Sequence, residues 1–442
     1  MKIVFILPPA KSTYSACPLP PLGLAYLSAC LLEYRNDLQI EIIDGFLLNL
    51  DEYHKKTEST KADIIGVSTT MSQLNQALMI PNIVKKKNTK FIIGGPGVVT
   101  VPSSMLYEGG YSVICYGEGE RTVVELVQAF ENGSPLEDIK GISYLNEGKE
   151  VKTPPREPIE NLNEIPFPAR HLLDMEKYLG TWKENIGIRV TSVISSRGCP
   201  FSCKFCDKTT FGGKIRFMSP SRMIEEMKIL YDRYGAEMVY FEEDLFTVNR
   251  KRVLEFCSLI EKELPGKMWG AQSRVDTIDK EMLTRMKHAG CDNLIFGAES
   301  GSQKILDMLG KGFTVEDIEN AFRWVKEVGV KAGMFLLLGV PGETQEDIDM
   351  TKRIIAKLEP TYIDVSLLTP IPGTEIYEMT KHLIRDDIDL SNYSQTESVY
   401  RKDIFDVEPE ERGREIVDFF LTTFRDKVNP RESICGGTPI AG

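Results

Sequence analysis

The chain has 442 residues, 42% hydrophobic and 27% charged. That mix supplies ample core material, and at about 150 residues per domain the chain is too long for one small module. A formal net charge of −12 argues against a nucleic-acid binder, because phosphate affinity rests on clustered cations. No apolar run of about 18 residues, the length a spanning helix needs, is present, so neither nucleic acid nor membrane is an expected partner.

The start, Met1-Lys2-Ile3-Val4-Phe5-Ile6-Leu7-Pro8-Pro9, lacks a signal peptide's long apolar region and small-residue cleavage site. It reads as a buried first strand of a cytoplasmic protein. Apolar runs then predict strands over 2–7, 39–43, 63–67, 90–93 and 112–115, with helical patterns over 22–34, 72–87 and 120–130. Such alternation predicts an α/β fold: a doubly wound, Rossmann-like parallel sheet over 1–140. Ligands of such sheets sit at the carboxyl ends of the strands. Here those loops read Pro8-Pro9, Ser68-Thr69-Thr70, Gly94-Gly95-Pro96-Gly97 and Gly117-Glu118-Gly119-Glu120.

A short hairpin is expected over 141–145 and 150–152. Proline-dense Thr153-Pro154-Pro155-Arg156-Glu157-Pro158 and Ile165-Pro166-Phe167-Pro168 follow, so 141–185 reads as a linker with the boundary near 160. Strands are expected next over 191–196, 237–242, 268–273, 293–297, 331–338 and 362–368. Met223, Ile224, Met227, Leu230, Tyr231 and Tyr234 form one helical stripe, most simply core. Six strand–helix units are too few for a closed eight-stranded barrel. They predict a partial (β/α)6 TIM-like barrel over 186–375, followed by a small helical carboxyl-terminal cap over 376–442.

Arg197-Gly198-Cys199-Pro200-Phe201-Ser202-Cys203-Lys204-Phe205-Cys206 follows the first strand of this second half. The Cys-x3-Cys-x2-Cys spacing sets three thiolates on one loop. A closed structural zinc site needs a fourth Cys or His, and none lies nearby. Three thiolates suit a 4Fe–4S cube with one iron left open to bind a cofactor or substrate.

The triplet, Phe205 before its last cysteine, and the partial-barrel pattern resemble the radical S-adenosylmethionine superfamily. The resemblance implies that Cys199, Cys203 and Cys206 hold the cluster and serve catalysis. The open iron would chelate S-adenosylmethionine and yield a 5′-deoxyadenosyl radical. It further implies S-adenosylmethionine contacts at successive strand ends: Phe205; Glu242, Glu243 and Asp244; Arg274, whose guanidinium fork suits the methionyl carboxylate; Glu299 and Ser300, which accept hydrogen bonds; and the Gly339 and Pro341 loop beside adenine. Thr344 reads as a cap of the next helix. An electron donor such as flavodoxin or ferredoxin is the implied partner, beside a small-molecule substrate.

The first half resembles the cobalamin-binding domain that precedes the radical domain in one large subclass. The residues that carry this are Pro20-Pro21-Leu22-Gly23-Leu24-Ala25-Tyr26-Leu27, Val67-Ser68-Thr69-Thr70, Gly94-Gly95-Pro96 and Tyr116-Gly117-Glu118-Gly119-Glu120. Implied cobalamin contacts are Ser68, Thr69, Thr70, Met71, Gly94, Gly95, Gly97, Gly117, Glu118 and Gly119, with Thr70 or Met71 facing cobalt. The chain has four histidines (His54, His171, His288 and His382), none in an Asp-x-His-x-x-Gly loop. Bound cobalamin is therefore expected without a histidine ligand. The leading expectation is a cobalamin-dependent methyltransferase acting on an unactivated carbon. Alternatives are a radical rearrangement or cyclisation enzyme, a methylthiotransferase with an auxiliary cluster on Cys17, Cys30 and Cys115, and a non-catalytic cobalamin or iron–sulfur sensor.

Overall fold

Strands buried on both faces decide the first sheet. A computed structural model describes residues 1–10, 17–84, 88–389 and 393–425. In it β1 (Lys2–Leu7), β2 (Gln39–Asp44), β3 (Ile64–Ser68), β4 (Lys90–Gly94) and β5 (Val113–Cys115) lie parallel in the order β2-β1-β3-β4-β5. Val4 and Ile6 face one core, which takes in Tyr53 of α2 (Leu50–Glu58), Leu74 and Ile80 of α3 (Leu74–Ile83) and Leu106 of α4 (Ser103–Glu108). Ile3 and Phe5 face the other, against Leu24 and Leu31 of α1 (Leu22–Tyr34) and Leu126 of α5 (Glu120–Asn132). Helices on both faces make the sheet doubly wound. The strand order reverses between β1 and β3, where such sheets bind ligands.

The helix expected over 72–87 begins instead with a 3-10 turn at Met71–Gln73, whose entry is fixed by Thr70 and Gln73 bonding each other. The helix proper follows to Ile83, and 85–87 lie outside the described residues. The hairpin forms β6 (Ile142–Asn146) and β7 (Lys149–Lys152). It pairs antiparallel on β5, so the first sheet runs on to Lys152.

After α6 (Met175–Ile186), six parallel strands form the second sheet: β8 (Val190–Val193), then past two short strands β11 (Met238–Phe241), β12 (Met268–Ser273), β13 (Cys291–Glu299), β14 (Lys331–Leu338) and β15 (Tyr362–Leu367). β8 and β15 are its unpaired edges, which leaves a half-barrel. Its outer helices are α7 (Pro220–Asp232), α8 (Arg250–Glu263), α9 (Lys280–His288), α10 (Gln303–Met308), α11 (Val315–Val328) and α12 (Gln345–Leu358). The stripe on α7 is buried at Met223, Ile224, Met227, Leu230 and Tyr231.

The strand expected over 191–196 breaks after Val193. Glu243 accepts both the amide and the hydroxyl of Ser195 at 2.6 Å, which draws that residue out of the ladder. β9 (Ser196–Arg197) then pairs with β10 (Arg216–Phe217) as a separate ribbon. α13 (Glu375–Thr380) and α14 (Pro409–Thr423) form the helical carboxyl-terminal region, whose last residues, 426–442, lie outside the described residues. Among the described residues no helix is long and apolar enough to cross a membrane.

Candidate functional site

The cysteine loop leaves β9 through Gly198, whose φ of +85° and tight approach to Lys214 O exclude a side chain. Backbone bonds then fasten the loop to the half-barrel: Lys204 N–H donates to Leu309 O at 2.9 Å, and Ile376 N–H donates to Lys204 O at 3.0 Å. Cys199, Cys203 and Cys206 are all free thiols. Burial, then the charges of Asp244, Cys203 and Cys199, pushes Cys206 up to about 11. The three sulfurs and Asp244 thus share one field. Among the described residues no three His, Cys, Asp or Glu side chains stand together as ligands of a single ion. Three thiolates set at separate corners of a cube do not need to, whereas a zinc site does.

Arg274 reaches this loop from the end of β12. Its Nη1 donates to Cys203 Sγ at 3.5 Å, its Nε and Nη2 grip Asp276 at 2.9 Å, and its Nη2 also donates to Lys311 O at 2.6 Å. Phe201 stacks on the guanidinium at 3.7 Å. The fork expected for a methionyl carboxylate is here committed to Asp276 and the cysteine loop. Glu299 ends β13 with a φ of +64°, a strained conformation for a non-glycine residue. Its carboxylate accepts from the buried Lys311 Nζ at 2.8 Å, and that ammonium also lies over Phe205. Ser300 is buried, with its hydroxyl against Thr351 and the Ser302 amide.

The acidic run after β11 divides. Glu243 is buried beside Arg252 and holds Ser195, a structural task. Asp244 faces the cysteines, and burial followed by the Glu243 charge raises its pKa. Glu242 lines an interior cavity, open to its space yet ringed by protein, and burial raises its pKa. Gly339, with a φ of +73°, donates its amide to Glu343 at 2.9 Å, and Pro409 of α14 packs against it. Pro341 is half-buried in the same loop. Burial raises Glu343 to about 7 beside the buried Arg412. Thr344 bonds Asp347 and caps α12.

In the first half, Ser68, Gly94, Gly95, Gly117, Glu118 and Gly119 line a cradle of about 220 Å³ between the sheet and helices α1 and α5. A Cβ at Gly95 would meet Thr69 O at 2.7 Å, whereas beside Gly117 the space is open. Bare backbone beside open space lets an arm of a large cofactor approach closely, and a hollow of this size admits such an arm rather than the whole group. Thr69, Thr70, Met71 and Gly97 do not line the cradle: Gly97 N–H donates to Thr69 O at 2.8 Å, so these residues build the turn behind it. Met71 is buried in the core over α3, whereas Thr70 is exposed. None of the four histidines lines the cradle.

The cradle loop is clamped to the cysteine segment by buried charges. Glu118 accepts from Arg216 Nη2 and from Ile159 N–H at 2.6 and 2.7 Å. Arg197, two residues before Cys199, pairs with Glu120 and lies 3.5 Å from Glu118. Glu118, expected at cobalamin, is thus spent on this clamp while still edging the cradle. A second cavity of about 740 Å³ fills the half-barrel lumen, and it shares Gly23 and Ile194 with the cradle. The geometry adds Arg197, Arg216, Glu120, Lys311 and Asp364 to the expected residues. Sequence offered two hints: Arg197 adjoins the triplet, and Lys311 is a lysine between two glycines.

Residues 193–355 match the model of the radical SAM superfamily, and residues 14–127 match that of the B12 binding domain. An uncharacterized methyltransferase of Pyrococcus horikoshii is 36% identical over 387 residues, covering 86% of this chain and 83% of that protein. The anaerobic magnesium-protoporphyrin IX monomethyl ester cyclase of Rubrivivax gelatinosus is 27% identical, over 96% of this chain and 77% of that one. Among solved structures, the radical S-adenosylmethionine methyltransferase TsrM of Kitasatospora setae, with cobalamin and a [4Fe-4S] cluster bound, superposes with a TM-score of 0.72. It covers 97% of this chain and 90% of that chain at 17% identity, a likeness of fold.

Proposed function

Because the chain belongs to the radical S-adenosylmethionine superfamily, in the branch with an amino-terminal B12 binding domain, we propose that it methylates an unactivated carbon of a small molecule or natural-product precursor. Its cofactors are a 4Fe–4S cluster, S-adenosylmethionine and cobalamin. Together these supply a carbon radical and a transferable methyl group, and the protein supplies position and dryness. Cys199, Cys203 and Cys206 are the cluster ligands in this reading, and Arg274 and Lys311 hold their loop in place. Asp244 and Glu299 offer acceptors to S-adenosylmethionine, and the Gly94–Gly95 and Gly117–Gly119 turns admit cobalamin. Flavodoxin or ferredoxin is the proposed electron source.

One observation carries the reading: the cradle and the lumen meet at Gly23 and Ile194, five residues before the first cysteine. A methyl group carried at the mouth of the cradle and a substrate held in the lumen would meet at this border. The auxiliary cluster of a methylthiotransferase has less support. Cys17 lines the lumen, Cys115 the cradle and Cys30 a separate surface hollow, and burial pushes the Cys30 and Cys115 thiols up to about 12. The near full-length match to a cyclase favours radical cyclisation or rearrangement as the second reading.

The test is anaerobic purification, cluster reconstitution and turnover with reductant. Methyl transfer produces both 5′-deoxyadenosine and S-adenosylhomocysteine. Turnover of substrate with 5′-deoxyadenosine alone refutes it in favour of rearrangement.

A further inference from the structure

The lumen cavity, about 740 Å³, falls within the usual range of small-molecule sites. Its walls are apolar at Ile194, Ile295 and Phe335, and its charged lining residues are Glu242, Asp292, Lys331 and Asp364. Lys331 is already paired with Asp292 at 3.2 Å. Arg170, whose charge reaches Glu242, is committed to Glu226 at 2.7 Å. Two carboxylates thus face the lumen with no ion pair among the described residues. Asp364 Oδ1 is buried there without a hydrogen-bond partner among those residues, whereas Tyr240 has the Gln272 side chain and Glu242 the Ser192 hydroxyl beside it.

The two carboxylates end one polar row. Tyr240 lies within electrostatic reach of Glu242 and Tyr362, and Tyr362 within reach of Asp364. Gly333 makes room for it, because a Cβ there would meet the Tyr362 ring at 2.2 Å. Buried acceptors left unpaired are costly, and a ligand that satisfies them gains what their isolation costs. Burial, then the Glu299 charge, raises Asp364 to about 7, the behaviour of an acid lacking its cation.

Resting on the reading of the lumen as the substrate chamber, we propose that the substrate carries a cationic nitrogen, an amine or guanidine on an apolar body, held between Glu242 and Asp364. The acceptors orient that nitrogen, and the apolar wall turns the rest of the molecule toward Ile194 and the cradle.

The test uses three isosteric probes on the full-length reconstituted protein: 4-phenylbutylamine, 4-phenylbutanol and 4-phenylbutanoate, by calorimetry. The amine is expected to bind at least about ten-fold tighter than the alcohol, with the carboxylate weakest, one ion pair being the difference. Asp364→Asn and Glu242→Gln should each shrink the preference to about three-fold or less. Equal affinity for alcohol and amine, no amine binding, or a preference surviving both substitutions overturns the proposal. Reductive cleavage of S-adenosylmethionine by the wild-type protein is read in parallel. Cleavage without amine preference sinks this inference alone, and amine preference without cleavage sinks the radical reading while leaving the cation site standing.

Discussion

Asp364 and the three cysteines make opposite demands on their surroundings. The cysteines must ionise to bind iron, so replacing any one with alanine should drop iron from about four per chain to about none in anaerobic preparations. Retention of a full complement in any variant would remove that residue from the ligand set. Asp364 is pushed up to about 7 from an ordinary 3.8. The sign for stability follows from linkage. The contribution is fully present below about 3.8 and is lost as pH rises through about 7, because the unfolded chain ionises freely where the native carboxyl resists. Asp364→Asn should therefore become more stable than wild type as pH climbs from 4 to 8. The gain levels off near about 1–2 kcal/mol once cavity water is allowed for. Urea midpoints at several pH values measure it, and a constant difference would count against the raised pKa. At this scale the triplet was readable because its spacing is local. The Glu242–Asp364 row was not, because its members sit on β11 and β15 and meet only when the sheet curls.

Elements were legible wherever one period dominated. The parallel strands of both sheets show as apolar runs, and α7 shows as a stripe. The missed pieces are short or polar: α2 is charged on most of its surface, β9 and β10 span two residues each, and the break after Val193 depends on Glu243 reaching back to Ser195. The half-barrel's packing centre is Phe241, Phe246, Phe256 and Trp269, with ring centroids 4.8 to 6.0 Å apart. Trp269 is fully buried, and its indole N–H donates to Ala289 O at 2.8 Å. Trp269→Ala should cost about 3–5 kcal/mol by cavity formation, read as a lowered denaturant midpoint. The α11 cap, where Thr314 accepts the Asp317 amide, is worth less: Thr314→Ala should cost about 1 kcal/mol.

The whole molecule is two α/β units joined by charge as well as by core. Arg197 and Arg216 of the second unit are almost fully buried against Glu118 and Glu120 of the first. Removing Glu120 leaves the buried Arg197 with Glu118 alone, 3.5 Å away and already shared with Arg216, so Glu120→Ala should cost about 1–3 kcal/mol. It should also loosen both the cradle rim and the strand that feeds Cys199. The readout is a stability loss together with a changed electron paramagnetic resonance line shape of the reduced cluster. A stability loss with an unchanged spectrum would confine the clamp to folding. No single stretch of sequence announces this network, since Glu120 and Arg197 stand 77 residues apart.

Ile194 belongs to two chambers at once. A methyl group moves only between atoms already touching, so this border has to stand clear along the line of hand-over. Ile194→Ala would widen the passage there and trade selectivity of hand-over for leakage.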